Sequence, residues 1–162
     1  MKVISNSSVL IGLSSIGRLS ILHKRFPQGI IVPGAVWEEV VKTGHGLPGA
    51  EEVARAEWIS IQQVQNKVFS LSLQGSLDRG EAEVIALNQE INADILLLDE
   101  KSARSIAVRL QYTVLGTVGV LIWARRNSLI SNLSQELDLL QQKGGFRLSK
   151  DVCELALQKA GE

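Results

Sequence analysis

The chain has 162 residues, one cysteine, and 17 basic residues against 17 acidic ones. That length suits one domain with a sizeable core. The even charge balance removes the whole-molecule basic footprint of many nucleic-acid binders, leaving only local patches open, and a lone thiol excludes an internal disulfide framework. The N-terminal residues Met1 to Asn6 turn polar too early for a secretory leader. The longest apolar stretches are much shorter than a membrane span, so a cytoplasmic, soluble protein is expected.

Taken in chain order, Val3-Ile4-Ser5 reads as a short buried strand ending at Asn6. Ser7 and Ser8 carry hydroxyls suited to cap the helix that follows, whose apolar face is Val9, Leu10, Leu13 and Ile16. Gly17 ends that helix, and a further turn of helix runs from Leu19 towards Pro27. Ile30-Ile31-Val32 is a second strand, broken at Pro33-Gly34. Ala35 to Val41 is predicted helical, with Val36, Val40 and Val41 inward and Glu38 and Glu39 on the same segment. Gly44, Gly46, Pro48 and Gly49 mark a loop before a short helix, Ala50 to Ala56. Trp58 to Ile61 alternates with period two and is predicted as an edge strand.

Val68 to Leu73 is predicted helical, and Asp78 to Ile91 is a strong helix with Asp78, Glu81 and Glu83 crowding its first turn, where the helix dipole favours acids. Asp94 to Asp99 is a core strand, Ser102 to Leu110 a helix, Tyr112 to Leu115 a strand and Thr117 to Asn127 a helix. The remainder is helical with a break at Gly144-Gly145. Short β runs alternating with helices indicate βαβ units and a mostly parallel sheet, hence an α/β fold built as a three-layer α/β/α sandwich. No linker interrupts it: a single domain over 1–162 is expected, with 128–162 as a C-terminal helical extension. Cys153 falls in an apolar helical pattern and reads as core packing.

The acids and polar residues fall where such a sheet gathers them. Ligands of open α/β sheets sit outside the carboxyl ends of the strands, and right-handed crossovers bring the ends of the first and the later core strands to one rim. Asn6 ends the first strand, Glu39 follows the second, Glu81 opens a helix and Asp99 ends a later strand. Oxygen donors gathered there suit a hard divalent cation. Each residue also has a plainer reading: dipole complement for the acids of the central helix, N-cap for Asp99, solvation for Glu39, a helix-capping turn for Asn6. Only the joint pattern favours a shared pocket. His23 and His45 lack partners at metal-ligand spacing. Trp37, Trp58 and Trp123 read as core or interface, and Gly116 to Gly119 lacks the lysine of a phosphate loop.

The segments Val3 to Ser8, Val32-Pro33 through Val36 to Val40, Leu77 to Glu83, Leu97 to Lys101 and Gly116 to Leu121 together resemble the PIN domain, the small metal-dependent nuclease fold of VapC-type toxins, in a prokaryotic PIN-like subgroup. The resemblance implies acids around one or two Mg²⁺ or Mn²⁺ ions. It assigns Asn6, Glu39, Glu81 and Asp99 to the metal positions, with Glu38 beside Glu39 and Asp78 and Glu83 beside Glu81. Ser7 and Thr117 would orient waters or the scissile phosphate, and Arg79, Lys101 and Arg104 would contact phosphates. The family carries an acid where this chain has Asn6, whose amide ligates without charge. Two readings follow. One is a metal-dependent endoribonuclease of the toxin type cutting single-stranded RNA, weakened or silenced at residue six. The other is a catalytically silent module of the same fold that binds RNA or protein. A phosphatase or receiver-like protein would need an aspartate at residue six and ranks below both. The resemblance further implies a homodimer and a small antitoxin partner, with Leu155, Leu157 and Trp58 as contact candidates.

Overall fold

Short segments rich in Ile, Val and Leu make the strands, and their burial tells which lie inside the sheet. In the computed structural model, which describes all 162 residues, β1 (Val3–Ser5) is buried throughout. This is expected of a parallel strand covered on both faces. It pairs with β2 (Ile30–Pro33) on one side and β4 (Ile95–Leu97) on the other, Ile4 standing between Ile31 and Leu96. β3 (Ile59–Gln62) extends the sheet beyond β2, and β5 (Val114–Leu115) beyond β4. All pairings are parallel and the order is β3-β2-β1-β4-β5. β3 lies at the edge of the sheet as expected, but its burial does not alternate: Ile59 is buried and the next three residues, Ile61 included, are exposed.

The chain therefore builds outward from β1 to β3, returns, and builds the other way through β4 and β5. The reversal lies between β1 and β4, and the crevice at such a point is where open α/β sheets take their ligands. Asn6 leaves β1 and Asp99 lies two residues beyond β4, so both stand at this crevice.

Helices cover the sheet in two packed groups. One comprises α1 (Ser7–Ser15), α2 (Ser20–Arg25), α8 (Thr117–Arg126), α9 (Leu133–Gln142) and α10 (Lys150–Ala160). The other comprises α3 (Gly34–Trp37), α5 (Lys67–Leu73) and α6 (Arg79–Ile91), with α7 (Lys101–Arg109) against α6. α4 (Ala50–Arg55) packs on the π-helical turn Glu38–Thr43 that continues α3. The architecture is the three-layer α/β/α sandwich, with an all-parallel sheet. Leu10, Leu13, Ile85, Leu96, Leu97 and Leu121 are among the fully buried side chains joining the layers. Each such side chain contributes about 1.5–3 kcal/mol of apolar burial. Cys153 and all three tryptophans pack half-buried against this core. No helix is long and apolar enough to cross a membrane.

Three local departures from the sequence reading matter for the site. Asn6, not Ser7 or Ser8, caps α1: its Oδ1 accepts from the Val9 amide at 3.2 Å. The Ser7 hydroxyl is thereby free for a partner elsewhere. The helix expected over Ala35 to Val41 changes winding at Glu38, becoming a π-helical turn; Val36 and Val40 both remain buried. Single π turns are rare and recur at functional sites. Finally, β5 is only two residues long, Tyr112 and Thr113 forming its approach.

Candidate active site

A cavity of about 1110 Å³ opens at the strand reversal. Its polar end is built from four elements. The junction of β1 and α1 delivers Asn6 and Ser7; the π turn delivers Glu39; the start of α6 delivers Asp78 and Glu81; the segment after β4 delivers Asp99 and Glu100. The amide of Asn6 donates to the Leu97 carbonyl at 3.1 Å, which prolongs the β1–β4 ladder and places Asn6 beside the strand that leads to Asp99.

Local bonds orient each oxygen. The Ser7 hydroxyl donates to Glu39 Oε2 at 2.5 Å, tying α1 to the π turn. That same Oε2 lies against the first turn of α6, 3.4 Å from where a Cβ on Gly80 would sit. Asp78 is the N-cap of α6: its Oδ1 accepts from the Glu81 amide at 2.8 Å, while Glu81 Oε2 accepts from the Asp78 amide at 3.2 Å. This reciprocal capping box holds the Glu81 carboxylate at the helix N-terminus and engages only one of its oxygens. Asp99 accepts from both the amide and the hydroxyl of Thr117, at 2.8 and 2.7 Å. Gly116, the N-cap of α8, has no side chain to offer, and the Asp99 carboxylate performs the cap in its place. Any Cβ at residue 116 would approach Asp99 Oδ1 to 3.0 Å and Arg104 Nη1 to 2.8 Å.

Two of these acids are held at raised proton affinity. Burial pushes the Asp99 carboxyl above its ordinary value, and repulsion from Glu100 adds to this; the two Thr117 bonds and the Arg104 charge oppose the rise without cancelling it. Burial likewise raises Glu81, followed by repulsion from Asp78 and then from Glu100 and Glu39, against one favourable bond from the Asp78 amide. Both acids therefore feel Glu100, and neither is in a salt bridge. A cation entering this end would relieve both strains.

The other sequence candidates are placed differently. Thr117 is fully buried behind Asp99 and is absent from the cavity wall, so it orients the carboxylate rather than a water or a phosphate. Arg79 is ion-paired with Glu38 at 3.0 Å and with Glu83 at 3.3 Å and does not line the cavity. Glu38 and Glu83 stay outside it as well; Glu83 accepts from the Ala35 amide at 3.1 Å and so pins α3 to α6. Lys101 lies on a shallow neighbouring depression with Arg104 and Arg109. Arg104 reaches both this depression and the main cavity, donating to the Leu98 carbonyl at 2.9 Å. Glu100 was missed; its position directly after Asp99 was the available signal. Also missed was the far end of the cavity, formed by Phe146, Arg147 and Lys159 around the Gly144-Gly145 break.

The donor set is wholly oxygen: carboxylates, one amide and hydroxyls. No three acids, histidines or cysteines converge as a ready-made metal cage. Mg²⁺ does not need one, since it commonly keeps several waters and takes only one or two carboxylates. The residues fit a hydrated hard cation of that kind.

The chain has no detectable match among curated proteins or among solved structures. A family model, DUF3368, described as a PIN domain, matches residues 2–162. With a parallel sheet reversing at β1/β4 and carboxylates at the reversal, the chain belongs to the PIN-domain family, a nuclease-type fold.

Proposed function

We propose that the protein is a metal-dependent endoribonuclease of the PIN type, acting on single-stranded RNA in the cytoplasm and weakened by the amide at residue six. One observation carries this reading: Glu81 and Asp99, both with raised proton affinity, line one cavity with Glu39 and have no salt-bridge partner. Buried carboxylates whose charge is not neutralised within the fold, Glu81 with no cation nearby and Asp99 with only the partial relief of Arg104, are costly, and in a cleft they mark a site that takes counter-charge from a ligand.

A bound Mg²⁺ or Mn²⁺ would supply an activated water and neutralise charge on the scissile phosphate. Asp99, Glu81 and Glu39 would hold it, some of them through water, and Asn6 would offer a neutral carbonyl oxygen. Thr117 holds Asp99 in one orientation, and the capping box does the same for Glu81. Ser7 fixes Glu39. Arg104, beside Asp99, contacts a phosphate oxygen of the substrate. A homodimer and a small antitoxin protein reaching the exposed Leu155 complete the reading.

A second reading is favoured by a specific feature. The Asn6 side-chain oxygen is engaged in capping α1, and an amide brings no charge to the metal position. The chain would then be a silent PIN module that binds RNA or protein. Wild type and Asn6→Asp, which keeps a good N-cap, should be compared on single-stranded RNA with Mn²⁺ and with EDTA. The nuclease reading expects Mn²⁺-dependent cleavage by wild type, abolished by EDTA and raised in the variant. Cleavage by the variant alone supports silencing at residue six. Absence of cleavage in both removes the nuclease reading.

A further inference from the structure

The cavity has two unlike ends. Its acids all come from the polar end just described. The remaining wall, formed by α8, the segment after Gly144 and α10, contributes no acid at all. It presents apolar groups, among them Phe146, Ile122 and Leu155, together with the cations Arg147 and Lys159. Both cations are exposed and neither takes part in a salt bridge.

Phe146 is held in place from below. Gly12 lies within α1, and a Cβ there would meet Cε1 and Cζ of the phenyl ring at 2.7 and 2.9 Å. The ring thus rests on helix backbone that only glycine leaves bare. It follows the left-handed turn at Gly145, whose φ is +70°, and remains half-exposed to the cavity. Gly12 stands six residues beyond the N-cap Asn6, roughly 9 Å further along the α1 axis at 1.5 Å per residue. An aromatic surface and two cations outside any salt bridge therefore line the same cavity as the acids.

We propose that Phe146 is a stacking platform for an unpaired base adjacent to the scissile phosphate, with Arg147 and Lys159 holding the flanking phosphates. The inference rests on the reading of the substrate as RNA. It makes the far end of the cavity the element that selects single strands, because a base buried in a duplex has no free face to stack on Phe146. The charge pattern favours this occupant: cations beside an aromatic surface match a polyanion that carries flat bases.

The test is binding without cleavage. A fluorescein-labelled single-stranded RNA of mixed sequence, the same strand with abasic positions, and a blunt RNA duplex are titrated with protein in EDTA at low salt, read by fluorescence anisotropy. Phe146→Leu keeps an apolar contact over Gly12 and removes the ring face; thermal melting checks that it is folded, and Phe146→Trp serves as the conservative replacement. The expected result is a loss of affinity of about 5- to 150-fold for Phe146→Leu on the intact strand, the range for one stacked base. Phe146→Trp should bind like wild type, and Phe146→Leu should lose the preference for intact over abasic RNA. Arg147→Ala and Lys159→Ala should each flatten the salt dependence, by about one counter-ion. A folded Phe146→Leu that binds the intact strand as wild type does overturns the platform and leaves the nuclease reading standing. Wild type that binds no RNA in EDTA also overturns the platform, while cleavage with Mn²⁺ decides the nuclease reading separately.

Discussion

Two glutamates sit almost equally buried in this molecule, and their surroundings differ completely. Glu136 on α9 is 6% exposed and Glu81 on α6 is 8% exposed. Glu136 is gripped by Arg18, whose Nε reaches both carboxylate oxygens at 3.1 and 3.2 Å and whose Nη2 adds a further short bond to Oε1. Glu81 has only the Asp78 amide for company, with Asp78, Glu39 and Glu100 repelling it. The chain gives Glu136 its counter-charge and leaves Glu81 without one, and an unneutralised buried carboxylate in a cleft is what the proposed cation site requires. The bond to Arg18 joins residues 118 positions apart and ties α9 to the end of α1, on the structural side of the molecule.

Changes at either carboxylate region should separate the two roles. The largest effect is expected at the site: Asp99→Asn preserves hydrogen-bonding capacity towards Thr117 but removes the charge. Losing a ligand charge removes several kcal/mol of transition-state stabilisation, so RNA cleavage with Mn²⁺ should fall by at least about a hundredfold. Circular dichroism should show an unchanged fold. Metal addition comes next. At a hundredfold excess over its Kd, Mn²⁺ should stabilise wild type by about 2.7 kcal/mol, read as a rise in Tm. Asp99→Asn should lose that rise, while Arg18 variants keep it. A rise that persists in Asp99→Asn would place the ion elsewhere.

On the structural side, Arg18→Met leaves Glu136 buried without its partner. Breaking a fully buried pair costs about 3–5 kcal/mol. The Arg18 side chain is 38% exposed, so screening reduces the expected loss to about 1–3 kcal/mol in urea denaturation. Adding Glu136→Leu should recover most of it, because apolar replacement of a buried pair is commonly neutral. Failure of that recovery would mean the pair contributes more than mutual neutralisation.

The smallest effect distinguishes the regions by sign. The folded-state pKa of Glu81 lies above its ordinary value of 4.5, so the native state binds more protons than the unfolded chain just above that pH. Stability from this group is present at low pH and is lost as pH rises through the raised folded value. Glu81→Gln, measured with EDTA, should therefore match wild type in acid and gain slightly at neutral pH, by about 2 °C or less in Tm. A variant that is less stable at neutral pH than in acid, relative to wild type, would contradict the unrelieved charge at this position. The same substitution should cost activity, the usual opposition of stability and function at a site.

Local pattern in the chain determined a good deal. Alternating apolar runs and helical faces specify the α/β class, and strand-end positions single out Asn6, Glu39, Glu81 and Asp99, because burial periodicity and breakers act over a few residues. The capping position of Asp78 and the break at Gly144-Gly145 are local for the same reason. Only the folded chain decided which oxygen faces which partner. Ser7 meets Glu39 across 32 residues, Thr117 turns inward onto Asp99 across 18, and Arg79 is drawn to Glu38 across 41. Such pairings depend on strand order and on which helices share a layer, and neither is written in any short window. The seating of Phe146 on Gly12 is of this kind: the glycine alone reads as a helix weakness, and the ring alone as a loop residue, until packing sets one upon the other.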